Sequence, residues 1–185
     1  MGKITRVVRV FSPIMLTLGL LLFLQPFIAV SCGSLTAHYS GLTLALGGDP
    51  RVDPIRRASS AILAESRIGP QAPVTFALAV IFLTFVLALV LRSPHRREAL
   101  VGALALLAAV TLGGGVVWFR SQLLARLESR VPISDPSNAV VLDTGFWTEL
   151  LILGAVALLN LGLVWMDRRQ IMRGRYSKFR VTSSR

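Results

Sequence analysis

The feature that most constrains this 185-residue chain is a set of four apolar stretches, each about 18 to 21 residues long. Helices of that length, at 1.5 Å per residue, cross the roughly 30 Å hydrocarbon core of a bilayer. The four stretches contain no Lys or Arg, and their only acidic residue is Glu149, near an end. The sequence therefore predicts an all-α membrane protein, a bundle of four transmembrane helices. The predicted segments are a cytoplasmic N-terminus 1–12, span 13–30, outer loop 31–73, span 74–91, cytoplasmic loop 92–98, span 99–119, outer loop 120–146, span 147–166 and basic cytoplasmic tail 167–185.

Charge is distributed unevenly between these spans. The two termini and the middle connection carry 13 basic and 2 acidic residues, a net +11. The first and third connections carry 7 basic and 6 acidic residues, and Glu149, at the adjoining end of the fourth span, is a seventh acid on that side. Because Lys and Arg concentrate in short cytoplasmic loops, we expect both termini in the cytoplasm. The same rule accounts for the basic composition, so we expect no nucleic-acid partner, although clustered Lys and Arg can also indicate one.

The first span has an alternative interpretation as a secretory leader, because a basic start and an apolar run precede Ser31-Cys32-Gly33-Ser34. Such a leader could be cleaved before a lipid-modified Cys32. Ala29 stands three residues before the cysteine, where lipoprotein leaders usually have Leu, and Gln25-Pro26 interrupts the apolar run. We therefore favour an uncut span, with the single cysteine packed near the membrane boundary.

The first outer loop, 31–73, shows hairpin patterning followed by a helix. Apolar residues alternate with polar ones from Leu35 to Tyr39 and again from Leu42 to Leu46, with Ser40-Gly41 as the turn and Gly47-Gly48 as the end. Asp53 before Pro54 then predicts a helix start, and Gly69 can close that helix. The predicted outer loop is a small hairpin plus a helix.

The third connection begins as a continuation of its span. Leu123, Leu124 and Leu127 share one helical side before Pro132 breaks the helix. Thr144 is a candidate cap for the fourth span, just before an aromatic anchor at the headgroup level.

A short pattern after the first span resembles uncharacterised bacterial multi-pass membrane proteins. The matching residues are Pro26-Phe27, Val30-Ser31-Cys32, Ser40-Gly41-Leu42 and Leu44-Ala45-Leu46-Gly47. They cover only about residues 24 to 48. The resemblance implies a bacterial plasma-membrane protein with an uncut first helix, and it brings no activity.

Groups for catalysis or metal binding are sparse. His38 with Ser31, Ser34 or Ser40 and an aspartate nominally supplies a hydrolytic triad, but no nucleophile-elbow pattern surrounds these serines. Cys32, His38 and Asp49 lack the paired spacing of metal ligands. We therefore predict no enzyme activity, no catalytic residue, no metal and no cofactor.

A polar cluster within the membrane is a stronger candidate. Gln25, Arg120 and Glu149 fall at similar depth, within roughly 8 Å along the membrane normal. They are predicted to bond as a cluster that ties three helices together, and the alternative is a gate or a polar substrate site. Asn160 lies about 16 Å deeper than Glu149, so we expect it to bond a neighbouring helix or a partner subunit.

Small residues on the third span predict close helix packing. Ala105, Ala109 and Gly113 are four apart, and Gly114 and Gly115 follow directly. This helix is therefore the candidate for the centre of the bundle. The alternative is an unwound point at the three glycines, as in transporter helices.

The tail is predicted to lie on the lipid surface. Met172, Tyr176 and Phe179 share a helical face, which is typical of a helix on anionic headgroups. The alternative is a solvated basic tail that serves only topology. The candidate lipid-contacting residues are Arg168, Arg169, Arg173, Arg175, Lys178 and Arg180.

These observations indicate a non-enzymatic integral membrane protein. With little chain outside the bilayer and no catalytic constellation, we expect an accessory or scaffolding subunit of a bacterial plasma-membrane complex. Its expected partners are anionic lipids and another membrane protein or further copies of itself. The competing hypothesis is a small oligomeric transporter or channel component. A lipid-directed enzyme is a third class, but it needs paired carboxylates or histidines at one membrane face, and the sequence lacks them.

Overall fold

The structure, a computed structural model, describes residues 2–32, 35–53, 68–91, 93–128 and 139–182. It is mostly helical but includes a four-stranded sheet of order β3-β2-β1-β4, so the expectation of an all-α protein was incomplete. We call this sheet together with α2 the cap. The elements are α1 (Gly2–Leu22), β1 (Pro26–Cys32), β2 (Leu35–Ser40), α2 (Gly41–Leu46), β3 (Arg51–Asp53), α3 (Ala72–Val90), α4 (Pro94–Glu128), β4 (Val140–Leu142) and α5 (Thr144–Thr182).

Three helical segments in the described part of the chain are long and apolar enough to cross a membrane. They are Ala72–Val90, Arg96–Ala125 and Thr144–Asp167, and 18-residue stretches within them have mean hydropathies of 2.6, 2.3 and 2.0. A fourth apolar segment, Val10–Leu22, is shorter. The second, third and fourth predicted spans thus coincide with long apolar helices, and the first is the exception.

The first predicted span, 13–30, is not helical throughout. Helix α1 ends at Leu22, and Pro26–Cys32 is the strand β1. Pro26 has no backbone N–H to continue a helix, and a proline also disfavours helical geometry at the preceding Gln25. The β-branched Ile28 and Val30 then suit a strand that is paired on both sides.

The predicted hairpin pairs differently from the expectation. Strand β2 pairs with β1 in antiparallel register, and Leu42–Leu46, expected to be the second strand of the hairpin, belongs to the helix α2 instead. The Ser40 hydroxyl accepts the Thr43 N–H at 3.1 Å and so caps this short helix. Gly47, with φ 78°, ends it where the sequence indicated an end. The helix expected after Asp53 falls largely on residues 54–67, outside the described part of the chain.

The sheet joins the first and third connections of the chain. Strand β4 pairs with β1, with Ile28 opposite Leu142 and Val30 opposite Val140. Ile28, Val30 and Val140 are buried, so this face of the sheet belongs to the core. The cap therefore sits at the end of the bundle where α1 and α4 finish and α3 and α5 begin.

The helices pack as a ring in which α4 contacts α3 and α5, and α1 contacts the same two helices. Helix α4 continues past 119 to Glu128, as expected from its leucines. Its buried seam advances by either three or four residues at each step, which follows the 3.6-residue turn of a helix better than a strict spacing of four does. Ala105 is in this seam, whereas Ala109 and Gly113 are partly buried beside it. The seam comprises Val101, Ala105, Ala108, Leu112, Val116 and Phe119.

The triple glycine does not unwind α4, which is helical from Pro94 to Glu128. A Cβ on Gly115 would lie 2.6 Å from Pro73 Cβ, so this glycine allows close approach of α3. Gly113 faces Leu150 of α5 at ordinary contact distance, and Gly114 faces open space. Gly113 and Gly115 therefore take part in helix packing, whereas Gly114 does not.

Asn160 bonds a neighbouring helix, as expected. Its Nδ2 donates to Ser12 Oγ at 2.9 Å and to Val156 O at 2.7 Å, and both Ser12 and Asn160 are buried. This hydrogen bond ties α1 to α5 deep in the bundle.

The tail extends the last long helix, because α5 runs without a break to Thr182. Arg169 lies with its guanidinium carbon 3.5 Å from the centre of the Trp165 ring. A stacked Arg–Trp pair suits the headgroup level of a membrane. Contact of the other tail cations with lipid stays a prediction, since their side chains lie outside the described set.

Candidate functional site

Glu149 is an acidic side chain buried among the apolar helices of the bundle. It lies on the second turn of α5 and is completely buried. A Cβ on Gly19 would stand 2.9 Å from its Oε1, so the absence of a side chain at position 19 makes room for the carboxyl group between α1 and α5. Neither carboxyl oxygen has a hydrogen-bond partner among the described residues.

The other two members of the predicted polar cluster point elsewhere. Arg120 Nε donates to Val140 O at 3.1 Å and so fastens α4 to β4. Gln25 is exposed and follows the end of α1. The expected ion pair between Arg120 and Glu149 is therefore not formed. The three residues were predicted to lie at the same depth in the membrane. Depth does not determine which side of its helix a residue occupies.

An aromatic layer separates Glu149 from the outside of the cap. Phe146 is one turn nearer the cap on α5 and is buried, as are Phe27 and Phe23. The ring centroids of Phe23 and Phe27 are 5.2 Å apart, and those of Phe27 and Phe146 are 6.1 Å apart. The carboxyl group thus lies beneath three packed rings.

A buried carboxylate without a partner is expensive, because no donor replaces the water that solvated it. Complete burial without a hydrogen-bond partner in the described part of the chain makes Glu149 the candidate polar site of the bundle. Intramembrane acids of this kind serve in proton relays and transport sites.

A second site is a polar pocket of about 480 Å³ on the cap. It lies where α1 gives way to β1, against the solvent-facing sides of β2 and β3. A pocket of this volume accommodates a small ligand or a headgroup. Its lining residues are Leu24, Gln25, Pro26, His38, Ser40, Arg51 and Asp53.

Beside this pocket, His38 faces an acidic residue of the third connection. His38 Nδ1 lies 3.6 Å from Asp143 Oδ2, too long for a hydrogen bond but close enough for an ion pair when the imidazole is protonated. Asp143 Oδ1 also accepts the N–H of Thr144 at 2.7 Å, where α5 begins. Asp143 therefore helps position both the helix start and the cap.

The structure places His38, Ser40 and Asp53 of the nominal hydrolytic set in the lining of one pocket, where the Ser40 hydroxyl bonds Thr43 rather than His38. Ser34 lies outside the described residues. The strand register does not bring the metal set together. His38 pairs with Ala29 on β1, three positions from Cys32, which is about 10 Å along a strand. Ser31 is opposite Thr36, and their hydroxyl oxygens are 3.3 Å apart. Within the described ranges, no group of three or more His, Cys, Asp and Glu side chains lies close enough to hold a metal ion.

Several residues of these sites were not identified from the sequence. Gly19 had one usable signal, since a small residue in an apolar helix indicates close packing. Arg51 and Asp143 had none, because their significance comes from strand pairing: Arg51 lies opposite His38 on β2, and Asp143 follows β4, which pairs with β1 from the far end of the chain.

A comparison of the chain with protein-family models finds no match, and a search of curated proteins finds no relative.

Proposed function

We propose that this chain is a non-enzymatic integral membrane protein of the bacterial plasma membrane that acts as an accessory or scaffolding subunit. In this proposal α1 is the fourth span, both termini are cytoplasmic, and the cap lies outside. The partner is another membrane protein or further copies of the chain. The positive-inside distribution of charge supports the orientation.

The observation that carries this proposal is the folded cap. Two connections that are distant in sequence pair in one sheet, which gives the outer surface a fixed shape. Val141 is half exposed on β4, at an edge of the sheet as described. An apolar side chain on a rigid edge is suited to contact with a partner protein.

Purification in mild detergent tests this function. We expect the chain to copurify with a second membrane protein, or with itself, in a fixed ratio, and deletion of the chain to change the size of that complex. Val141→Glu should release the partner, whereas Ser121→Glu, an exposed position at the same end of the bundle, should not. A monomer in lipid nanodiscs, together with unchanged membrane complexes after deletion, would contradict the proposal.

A second candidate function is a small oligomeric transporter or channel component, which the burial of Glu149 without a partner favours. In that case the chain, reconstituted in vesicles, should carry protons or exchange them for a solute. Glu149→Gln should lower the flux at least about tenfold, because the amide keeps the shape of the acid but cannot release a proton. Asp167→Asn, an exposed acid at the opposite end, is the matched control. Absence of flux in the unmodified protein would exclude this candidate.

A further inference from the structure

The cap pocket owes its polarity to strand alternation. Successive side chains on a strand point to opposite faces, so Ala37, Tyr39 and Val52 on one face oppose His38 and Arg51 on the other. His38 and Arg51 are also register partners across β2 and β3, which places them side by side. Tyr39 and Val52 are buried, so the polar face is the one turned away from the core.

The pocket carries both signs of charge. Arg51 and Asp53 are two residues apart on β3, both exposed, and they share the polar face at a separation of about 7 Å. The Ser40 hydroxyl and the Gln25 amide line the same space and add hydrogen-bond donors. A ligand that carries an anionic oxygen group beside an ammonium would match this arrangement, with the anion on Arg51 and the ammonium on Asp53.

The position of the pocket indicates where such a ligand comes from. Leu24, at its edge, is 62% exposed, and Leu21 and Leu18 continue the same exposed line down α1. Trp147 and Trp118 are exposed near this end of the bundle, as tryptophans are at the headgroup level. Trp165 lies 18 residues after Trp147, or about 27 Å along α5, which matches the hydrocarbon thickness. The pocket therefore opens at the lipid surface above an apolar track.

We propose that the cap pocket binds the headgroup of a zwitterionic phospholipid of the ethanolamine class. Arg51, with Ser40 and Gln25, holds the phosphate, Asp53 holds the ammonium, and the acyl chains lie along Leu24, Leu21 and Leu18. This site is independent of Glu149 and of the accessory function. A soluble amino-phosphate compound shares the headgroup chemistry but lacks the chains that would contact the leucines.

Native mass spectrometry of the full chain tests the assignment. The protein is stripped of lipid in detergent and titrated with phosphatidylethanolamine, phosphatidylglycerol or soluble glycerophosphoethanolamine. We expect one phosphatidylethanolamine per chain to bind about tenfold more tightly than phosphatidylglycerol, since phosphatidylglycerol offers nothing to Asp53. Glycerophosphoethanolamine should bind at least tenfold more weakly than the lipid, because it lacks the acyl chains.

Variants of the two charged residues locate the site. Arg51→Gln should weaken binding of both lipids about tenfold, and Asp53→Asn should remove only the preference for phosphatidylethanolamine. Arg96→Gln and Asp167→Asn make the same changes at the opposite end and should leave binding unaltered. Unchanged thermal midpoints would show that the exposed substitutions preserve the fold. Equal binding of the two lipids, or equally tight binding of the soluble compound, would overturn the proposal.

Discussion

Gly41 occupies one of the tightest positions in the cap. A Cβ there would stand 2.7 Å from Phe27 Cζ and 3.0 Å from Phe23 Cδ1, both in buried rings. The N–H groups of Gly41 and Leu42 donate to the carbonyls of Gln25 and Phe23, so α2 covers the end of α1. The short pattern around Pro26-Phe27 and Ser40-Gly41-Leu42 thus has a packing explanation, which the sequence pattern alone did not reveal.

Replacing Gly41 should therefore destabilise the protein. We expect Gly41→Val to lower the free energy of unfolding by roughly 1–3 kcal/mol, because the added methyls push against two packed rings. Gly114→Val is the matched control, since a Cβ at Gly114 meets open space. Thermal unfolding in detergent measures both, and equal midpoints for the two variants would contradict the assignment of Gly41.

For Glu149, the sequence predicts the depth of the carboxyl group in the bundle but not its surroundings. Its depth follows from its position in the span, but its isolation depends on which way α5 faces and on Gly19 of α1. Neither is encoded near Glu149 in the chain. The sequence therefore indicates the depth of Glu149 in the bundle but not which residues surround it.

At the level of elements, α2 is an instructive difference between expectation and structure. The run from Gly41 to Leu46 alternates apolar and polar residues only briefly, and six residues fit a strand or a helical turn equally well. Tertiary contacts decide between them. The Leu44 carbonyl accepts the Gln71 N–H at 2.8 Å, and Thr75 Oγ1 donates to the Ala45 carbonyl, so α2 is docked on the start of α3.

The seam of α4 offers a test in which two adjacent alanines serve as each other's control. Ala108 is fully buried in the seam, whereas Ala109 is only partly buried beside it. We expect Ala108→Leu to cost about 1–3 kcal/mol through overpacking and Ala109→Leu to be tolerated. Thermal midpoints in detergent provide the comparison. A larger loss of stability for Ala109→Leu would instead support packing through Ala105, Ala109 and Gly113, as the four-residue spacing predicts.

At the level of the whole molecule, the sheet places two distant connections together on one side of the bundle. Ala29 of β1 pairs with Val141 of β4, on the face turned away from the core. Paired residues of antiparallel strands have Cα atoms about 4.5 to 5.5 Å apart, within the range of a disulfide. This pair can therefore report both the pairing and the side of the membrane.

In a Cys32→Ser background, we expect Ala29→Cys with Val141→Cys to form a disulfide when intact cells meet a membrane-impermeant oxidant. The loss of both free thiols to a maleimide reagent measures the bond. Ser31→Cys with Asp143→Cys is the control, since in the same register these positions are about 13 Å apart along the strands. Thiols that react only after the cells are opened would place the cap in the cytoplasm and contradict the orientation.

The amino-acid order alone determined that this chain has long apolar helices and a one-sided distribution of charge. Both can be read from the residues of each segment alone. A bilayer requires apolar helices and a one-sided placement of Lys and Arg whatever the tertiary contacts are. The tertiary structure decided that Pro26–Cys32 is a central strand, that β4 completes its sheet, and that Glu149 stands apart from Arg120. Those features depend on hydrogen bonds and close contacts between residues more than 100 positions apart, where local periodicity carries no information.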